Sequence, residues 1–131
     1  MTSDKTNIRI LLAEDNVINQ IYIKYLLTKH GFIIDTANNG LQVIEKFELN
    51  KYDIILMDGH MSKMDGFEAA RIIREKTKNS DYQIPIIGIS GYDIDKDNEK
   101  VIDARIDAYL PKPINEENLI KLINEFTTRK G

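Results

Sequence analysis

Short apolar runs alternate along the chain with segments whose apolar residues recur at helical spacing. The runs lie at about residues 8–13, 32–37, 53–58, 85–89 and 106–110. Apolar runs of this length are typical of strands that are buried on both faces of a parallel sheet. Spacing of three to four residues predicts amphipathic helices. The pattern therefore predicts an α/β fold with a doubly wound, five-stranded parallel sheet.

Helices are expected between successive strands and after the last one. Either Asp15 or Asn16 can cap the start of the first helix, and Gly31 suits its end. Apolar residues recur through this helix at Val17, Ile18, Ile21, Tyr22, Tyr25 and Leu26. The second helix ends near Asn50, and its predicted buried side consists of Leu41, Ile44 and Phe47.

The third helix is predicted from Gly66 to about Lys78. Its pattern predicts that Phe67, Ala70 and Ile73 are buried and that Arg71, Arg74 and Glu75 lie outside. A short fourth helix is expected over residues 93–104, where the apolar stripe is thin. Asn115 suits the cap of the last helix, whose predicted core residues are Leu119, Ile120, Leu122, Ile123 and Phe126.

Composition narrows the class of protein. The 131 residues suit one domain, expected over residues 8–128 between a flexible lead at 1–7 and a tail at 129–131. The net charge of -3 and the scattered basic residues give no basic patch for nucleic acid. The absence of cysteine excludes disulfides and thiolate zinc sites. No apolar run has membrane-spanning length, so we expect a cytoplasmic protein without membrane insertion.

Polar residues follow four of the predicted strands. Glu14 and Asp15 follow the first strand, Asp58 the third, Ser90 the fourth and Lys112 the fifth. In a doubly wound parallel sheet these strand ends meet at one edge. Three carboxylates form an oxygen-only site that suits Mg²⁺, while a lysine and a hydroxyl suit an anion. This set predicts Mg²⁺-dependent transfer of a phosphoryl group to the central aspartate.

Three segments of the chain carry a family resemblance. They read LLAEDNVINQ (11–20), MDGHMSKMDGFEA (57–69) and YLPKPI (109–114). Together they resemble the receiver domain of response regulators in two-component phosphorelays, and the first is most similar to receivers of hybrid sensor histidine kinases. The resemblance implies a flavodoxin-like (β/α)5 fold with strand order 2-1-3-4-5.

The resemblance also implies roles for the residues at the predicted sheet edge. Asp58 would accept a phosphoryl group from a partner's phosphohistidine. Asp15 and Asp58 would bind Mg²⁺ directly, with Mn²⁺ as a substitute. Glu14 would act through water, and the backbone carbonyl of His60 would complete the ligand set. The domain would be a signalling module that catalyses only its own phosphorylation and slow dephosphorylation, not an enzyme with a separate substrate.

A switch is implied as well. Ser90 and Lys112 would hold the phosphoryl group, and Tyr109 would turn inward beside them. These movements would reshape the face formed by the fourth helix, the fifth strand and the last helix. The side chains of His60 and Tyr92 are candidates for tuning the lifetime of the phosphorylated state.

Partners follow from the same resemblance. The phosphoryl donor would be a histidine kinase or a histidine phosphotransfer protein. Output would pass through an effector protein or a parent hybrid kinase, which could tether the domain to the cytoplasmic side of a membrane. Val17, Ile18 and Ile114 flank the site, and they are either ordinary core residues or a docking patch for a helical phosphotransfer partner.

Three positions depart from the family's pattern. Ser62 stands where proline is usual, so we expect a less rigid loop. Gly91 stands where alanine is common, which would loosen the loop after Ser90. Arg105 stands where glycine is frequent. None of these departures removes a reactive group.

Two alternatives stay open at this point. One is a magnesium-dependent phosphohydrolase of the haloacid-dehalogenase kind, which also forms an aspartyl phosphate. Such enzymes carry a second carboxylate two positions after the nucleophile, where this chain has His60. The other alternative is a receiver-like module that binds partners without being phosphorylated.

Overall fold

The computed structural model describes residues 8–90 and 104–128. Its strands are β1 (Arg9–Ala13), β2 (Ile33–Ala37), β3 (Ile54–Asp58), β4 (Ile86–Ser90) and β5 (Ala108–Pro111). Its helices are α1 (Val17–Lys29), α2 (Gly40–Leu49), α3 (Gly66–Lys76) and the C-terminal helix (Glu116–Thr128). The helix predicted over residues 93–104 lies outside the described residues, apart from Ala104. Among the described residues, no helix is long and apolar enough to cross a membrane.

All five strands are parallel, in the order β2-β1-β3-β4-β5. This order confirms the predicted fold. The in-register pairs Ala13–Met57 and Ser90–Pro111 show that the carboxyl ends of the inner strands and β5 lie at one edge. β3 sits at the centre of the sheet and is buried along its whole length, so its last residue is held in the middle of that edge.

The core has two parts, one on each face of the sheet. Successive strand residues alternate between the faces: Ile54 and Leu56 join one apolar cluster, whereas Ile55 and Met57 join the other. The first cluster includes α1 and the C-terminal helix, and the second includes α2 and α3. This double layer confirms the doubly wound arrangement and leaves the carboxyl edge of the sheet open for a site.

The buried face of α1 differs from the run of apolar residues that predicted the helix. The helix buries Ile23, Leu26 and Leu27, whereas five of the six recurring residues are exposed. Apolar residues occupy more than one face of α1, and only one face of a helix can lie against a sheet. Periodicity therefore predicted the helix correctly without identifying its buried side.

Two other burial predictions were wrong. Leu41 is 49% exposed, because the buried stripe of α2 runs through Gly40, Val43, Ile44 and Phe47 and leaves Leu41 beside it. Arg74, predicted to lie outside, is 3% exposed. Its long side chain reaches backbone carbonyls that satisfy the buried guanidinium.

Candidate functional site

Asp58 is the last residue of β3, and its side chain is almost fully buried. Its Oδ1 accepts a hydrogen bond from the backbone N–H of His60, 3.1 Å away. The chain folds back closely after it: Gly66 N donates to Gly59 O at 3.0 Å, and a Cβ on Gly66 would lie 2.2 Å from Asp58 O. A glycine is therefore required there, and the close turn fixes the backbone that carries the carboxylate.

The two carboxylates after β1 meet Asp58 at the sheet edge, as predicted. Glu14 is fully buried, and its Oε2 accepts a hydrogen bond from Asn16 N at 3.2 Å. Asp15 is exposed, and its Oδ2 accepts one from Ser62 N at 3.2 Å. One carboxylate oxygen from each of Glu14, Asp15 and Asp58 lies within 4.8 Å of the other two. This acidic cleft places three potential ligands around one point.

The environment of Glu14 fits a cation. Burial, followed by the nearby charge of Asp58, raises the pKa of Glu14 from 4.5 to about 7. Its Oε1 is buried, and Lys112 Nζ lies 3.3 Å from it. A divalent cation would favour the ionised form and offset the repulsion between the carboxylates. An oxygen-only donor set of this kind suits Mg²⁺.

Lys112 supplies positive charge to the same cleft. Its Nζ lies 3.4 Å from Asp58 Oδ2 and 3.3 Å from Glu14 Oε1. The pKa of Lys112 is raised: partial burial alone would lower it, but the carboxylates of Asp58 and Glu14 outweigh that effect. The ammonium group is therefore charged at neutral pH, and an anion that arrived at Asp58 would meet it.

Ser90 and Tyr109 lie on neighbouring strands. Ser90 ends β4 and pairs in register with Pro111, but its hydroxyl, like Gly91 and Tyr92, lies outside what the structure describes. The Tyr109 ring packs over β4: a Cβ on Gly88 would lie 2.9 Å from Tyr109 Cε2. A Cβ on Gly59 would lie 3.2 Å from Tyr109 Oη. The ring is thus turned toward the strand that carries Asp58.

His60 and the three docking candidates lie around the cleft. The His60 side chain is exposed, and its ring makes an edge contact with Phe67 at a centroid distance of 5.8 Å. Val17 and Ile18 are 65% and 77% exposed. Ile114 is 8% exposed and belongs to the core. The core interpretation therefore holds for Ile114, whereas Val17 and Ile18 remain available to a partner.

Sequence reasoning missed the side-chain amide of Gln20, which binds the backbone of Glu14. The side chain of Gln20 donates to Glu14 O and to Asn38 Oδ1, both at 2.9 Å, and so joins α1 to the loops after β1 and β2. Of the two caps predicted for α1, Asn16 is the one observed, since its side chain accepts a hydrogen bond from Asn19 N. Gln20 lay inside one of the matching segments, but no sequence pattern predicts which backbone groups a side-chain amide reaches.

Comparison with known proteins agrees with this geometry. The family model of the response regulator receiver domain matches residues 10–124. Hybrid signal transduction histidine kinase I of Dictyostelium discoideum is 41% identical over 121 residues, which cover 88% of this chain and 7% of that kinase. The chain spans 6% to 15% of the length of three such histidine kinases. The likeness therefore concerns one domain of much longer proteins.

Solved structures show the same likeness in three dimensions. One is the co-crystal structure of the Saccharomyces cerevisiae histidine phosphotransfer protein Ypd1 and the receiver domain of Ssk1. The match to this structure has a TM-score of 0.87 at 29% sequence identity, and it covers 94% of this chain and 90% of that chain. Another is the receiver domain of sensor histidine kinase PA1611 from Pseudomonas aeruginosa, with Mg²⁺ coordinated in its active-site cleft. Its TM-score is 0.85 at 30% identity, covering 92% of this chain and 98% of that chain.

The sequence match, the sheet order and the acidic cleft at the carboxyl edge of the sheet all agree. The chain therefore belongs to the response regulator receiver domain family of two-component phosphorelays.

Proposed function

We propose that the domain formed by residues 8–128 accepts a phosphoryl group on Asp58 from the phosphohistidine of a partner protein. The observation that carries this proposal is the position of the buried Asp58 carboxylate, which adjoins two further carboxylates and lies 3.4 Å from Lys112 Nζ. A carboxylate oxygen attacks phosphorus and forms a P–O bond. The P–N bond breaks, and its electron pair returns to the imidazole of the donor.

Glu14, Asp15 and Asp58, with the backbone carbonyl of His60, are the groups that we propose to hold Mg²⁺, or Mn²⁺ in its place. The bound cation would neutralise charge between the carboxylates and the incoming phosphoryl oxygens. Lys112 offsets the remaining negative charge, because its ammonium already lies beside Asp58. The fixed turn after β3 orients Asp58, so little reorganisation is needed when the anion arrives.

The output that we propose is a change of the surface near β5. The Ser90 hydroxyl and Lys112 would bind the phosphoryl oxygens, and the ring of Tyr109 would stabilise the inward arrangement beside them. The inward ring fits the space over Gly88. The phosphorylated state would hydrolyse slowly, at a rate tuned by the side chains of His60 and Tyr92. The domain would thus act as a switch that transforms no substrate other than itself.

A histidine phosphotransfer protein or a histidine kinase is the donor that we propose, and it would dock on the exposed side of α1. The α1 apolar face consists of Val17, Ile18, Ile21, Tyr22 and Tyr25, all of them exposed. A contiguous apolar patch of this kind is typical of a protein interface. The helix follows directly after Asp15 and is capped by Asn16, so a partner bound there would reach the acidic cleft. The effector, or a parent hybrid kinase, would receive the signal.

The test is the intact mass of the protein after incubation with acetyl phosphate, with and without Mg²⁺. We expect one added phosphoryl group in the wild type with Mg²⁺ and none in Asp58→Asn. Asp65→Asn is a matched control, because Asp65 caps α3 through Oδ1 and asparagine retains a capping oxygen. It should be phosphorylated like the wild type.

Three outcomes would contradict the proposal. A phosphoryl group on folded Asp58→Asn would place the acceptor elsewhere. No adduct on wild type that binds Mg²⁺, together with no response to beryllofluoride, would favour a module that works without phosphorylation. Rapid turnover of small phosphate esters would instead favour a phosphohydrolase.

A further inference from the structure

The three carboxylates of the acidic cleft are held by different donors. Glu14 accepts from Asn16 N, and Asp58 accepts from His60 N. Asp15 is exposed, and among the described residues the one hydrogen-bond donor to its carboxylate is Ser62 N, 3.2 Å from Oδ2. The two residues are 47 positions apart in the chain. This bond therefore joins the loop after β1 to the loop after β3.

The loop that presents Ser62 N is fixed on both sides. The two ends of the loop are joined, because Gly59 O accepts a hydrogen bond from Gly66 N at 3.0 Å. Between them, Met64 O accepts from Gly40 N at 2.8 Å, and a Cβ on Gly40 would lie 2.5 Å from Met64 O. The loop is thus attached to α2 as well as to its own ends, and Ser62 N is a donor on a restrained backbone.

We propose that the backbone amide of Ser62 is a positioning group for the metal site. It holds the exposed Asp15 carboxylate beside Glu14 and Asp58, so that less side-chain freedom is lost when a divalent cation binds. Proline has no N–H and cannot supply this hydrogen bond. The serine at this position therefore contributes through its main chain, and its hydroxyl is dispensable. The inference rests on the proposed Mg²⁺ site.

The test compares Mg²⁺ affinity in the wild type, Ser62→Pro and Ser62→Ala by isothermal titration calorimetry. Ser62→Pro removes the donor, and we expect its dissociation constant for Mg²⁺ to rise about fivefold, because the freed Asp15 side chain must then be immobilised when the cation binds. Ser62→Ala keeps the N–H, so its dissociation constant should stay within about twofold of the wild type. Circular dichroism checks that each variant is folded.

A second measurement does not depend on the proline variant. In the wild-type ¹H–¹⁵N spectrum the Ser62 amide proton should resonate downfield, and it should move upfield in Asp15→Ala, which removes the acceptor. An unchanged Ser62 resonance in Asp15→Ala would overturn the inference, and so would equal Mg²⁺ affinity in folded Ser62→Pro. If Ser62→Ala weakened Mg²⁺ binding as much as Ser62→Pro, the effect would belong to the hydroxyl, and the inference would again be overturned. Failure of the wild type to bind Mg²⁺ would instead contradict the proposed function.

Discussion

Glu14 and Lys112 show how single residues acquire their chemistry from position. Glu14 comes directly after the apolar strand β1 and is fully buried beside Asp58. Its pKa rises to about 7 because the charged form is poorly solvated there. Lys112 faces both carboxylates, which raise its pKa despite its partial burial. The same pair of residues in water would be an ordinary acid and an ordinary base. In the cleft the three carboxylates favour a bound cation, and Lys112 favours an anion beside Asp58.

Tyr52 is a third residue whose pKa is shifted, and it lies before β3, near the amino ends of the strands. Its hydroxyl donates to Asp35 Oδ2 at 2.7 Å, and Arg9 pairs with the same oxygen at 3.1 Å. Burial, followed by the interaction with Asp35, raises the pKa of Tyr52 from 10.0 to about 12. The folded state therefore keeps a proton that the unfolded chain releases first on going to high pH.

We expect this difference to make the free energy of unfolding depend on pH. The contribution of Tyr52 is complete below about pH 10 and is lost as the pH rises from 10 through about 12. Tyr52→Phe lacks the ionising group, so its stability should fall less over this range. It should also be about 1 kcal/mol less stable at pH 8, because the hydrogen bond to Asp35 is gone. Urea unfolding at pH 8 and pH 11 measures both effects. An equal fall in the free energy of unfolding between these two pH values in the wild type and in Tyr52→Phe would contradict the prediction.

At the scale of elements, Arg74 connects α3 to two segments that precede strands. Its Nη1 donates to Ile84 O at 2.7 Å, before β4, and its Nη2 donates to Arg105 O at 2.9 Å, before β5. Nη2 also lies 3.0 Å from Asp107 Oδ2, an oxygen that accepts from Ile86 N. One guanidinium thus satisfies the buried carbonyl of Ile84 and also binds the part-buried carbonyl of Arg105.

Arg74→Ala should destabilise the domain by about 2 kcal/mol, because it leaves the buried carbonyl of Ile84 unsatisfied and removes the ion pair with the half-exposed Asp107. Arg74→Lys keeps the charge but cannot reach all of the acceptors, so an intermediate loss is expected. Arg71→Ala is the matched control, since Arg71 is exposed on the same helix and should cost less than about 0.5 kcal/mol. Urea unfolding measures all three. A loss in Arg74→Ala no larger than in Arg71→Ala would show that the connection has no energetic importance.

The elements also show what a sequence pattern can predict. Runs of Ile and Leu predicted β1 and β3 because parallel strands between two helical layers must be apolar on both faces. The same reasoning failed for Arg74, because a pattern of apolar and charged residues cannot tell that a guanidinium will find carbonyls inside. It failed for Leu41 because the period of apolar residues does not tell where the buried side of a helix has its margin, and Leu41 lies just outside that margin.

At the scale of the whole molecule, the sheet topology explains why so much of the acidic cleft was predictable. Parallel strands bring their carboxyl ends to one edge, so Asp15, Asp58 and Lys112 were expected to meet before any distance was known. The strand order itself came from family resemblance. The contribution of Ser62 N was not predictable, because every residue except proline has an N–H and only the folded loop decides where it points.

If a protein donor docks on the α1 apolar face, a substitution on that face should slow transfer from the protein donor and leave transfer from a small-molecule donor unchanged. Ile18 is 77% exposed on that face, and Ile18→Asp would bury an unpaired charge in a helical partner's interface. Phosphoryl transfer from a phosphorylated histidine phosphotransfer protein should slow at least about tenfold, since such a change costs more than about 1.4 kcal/mol of binding. Transfer from acetyl phosphate needs no docking surface and should be unchanged.

The chain offers a matched control at the end of α2. Leu49 is 82% exposed, so Leu49→Asp makes the same chemical change on a helix that adjoins the other face of the sheet. It should leave both donors unaffected. Equal slowing of both donors by Ile18→Asp would mean that the substitution disturbs the acidic cleft itself. Only a substitution inside the interface should slow transfer from a protein donor while leaving transfer from a small donor unchanged. If Leu49→Asp has this effect and Ile18→Asp does not, the docking surface does not lie on α1.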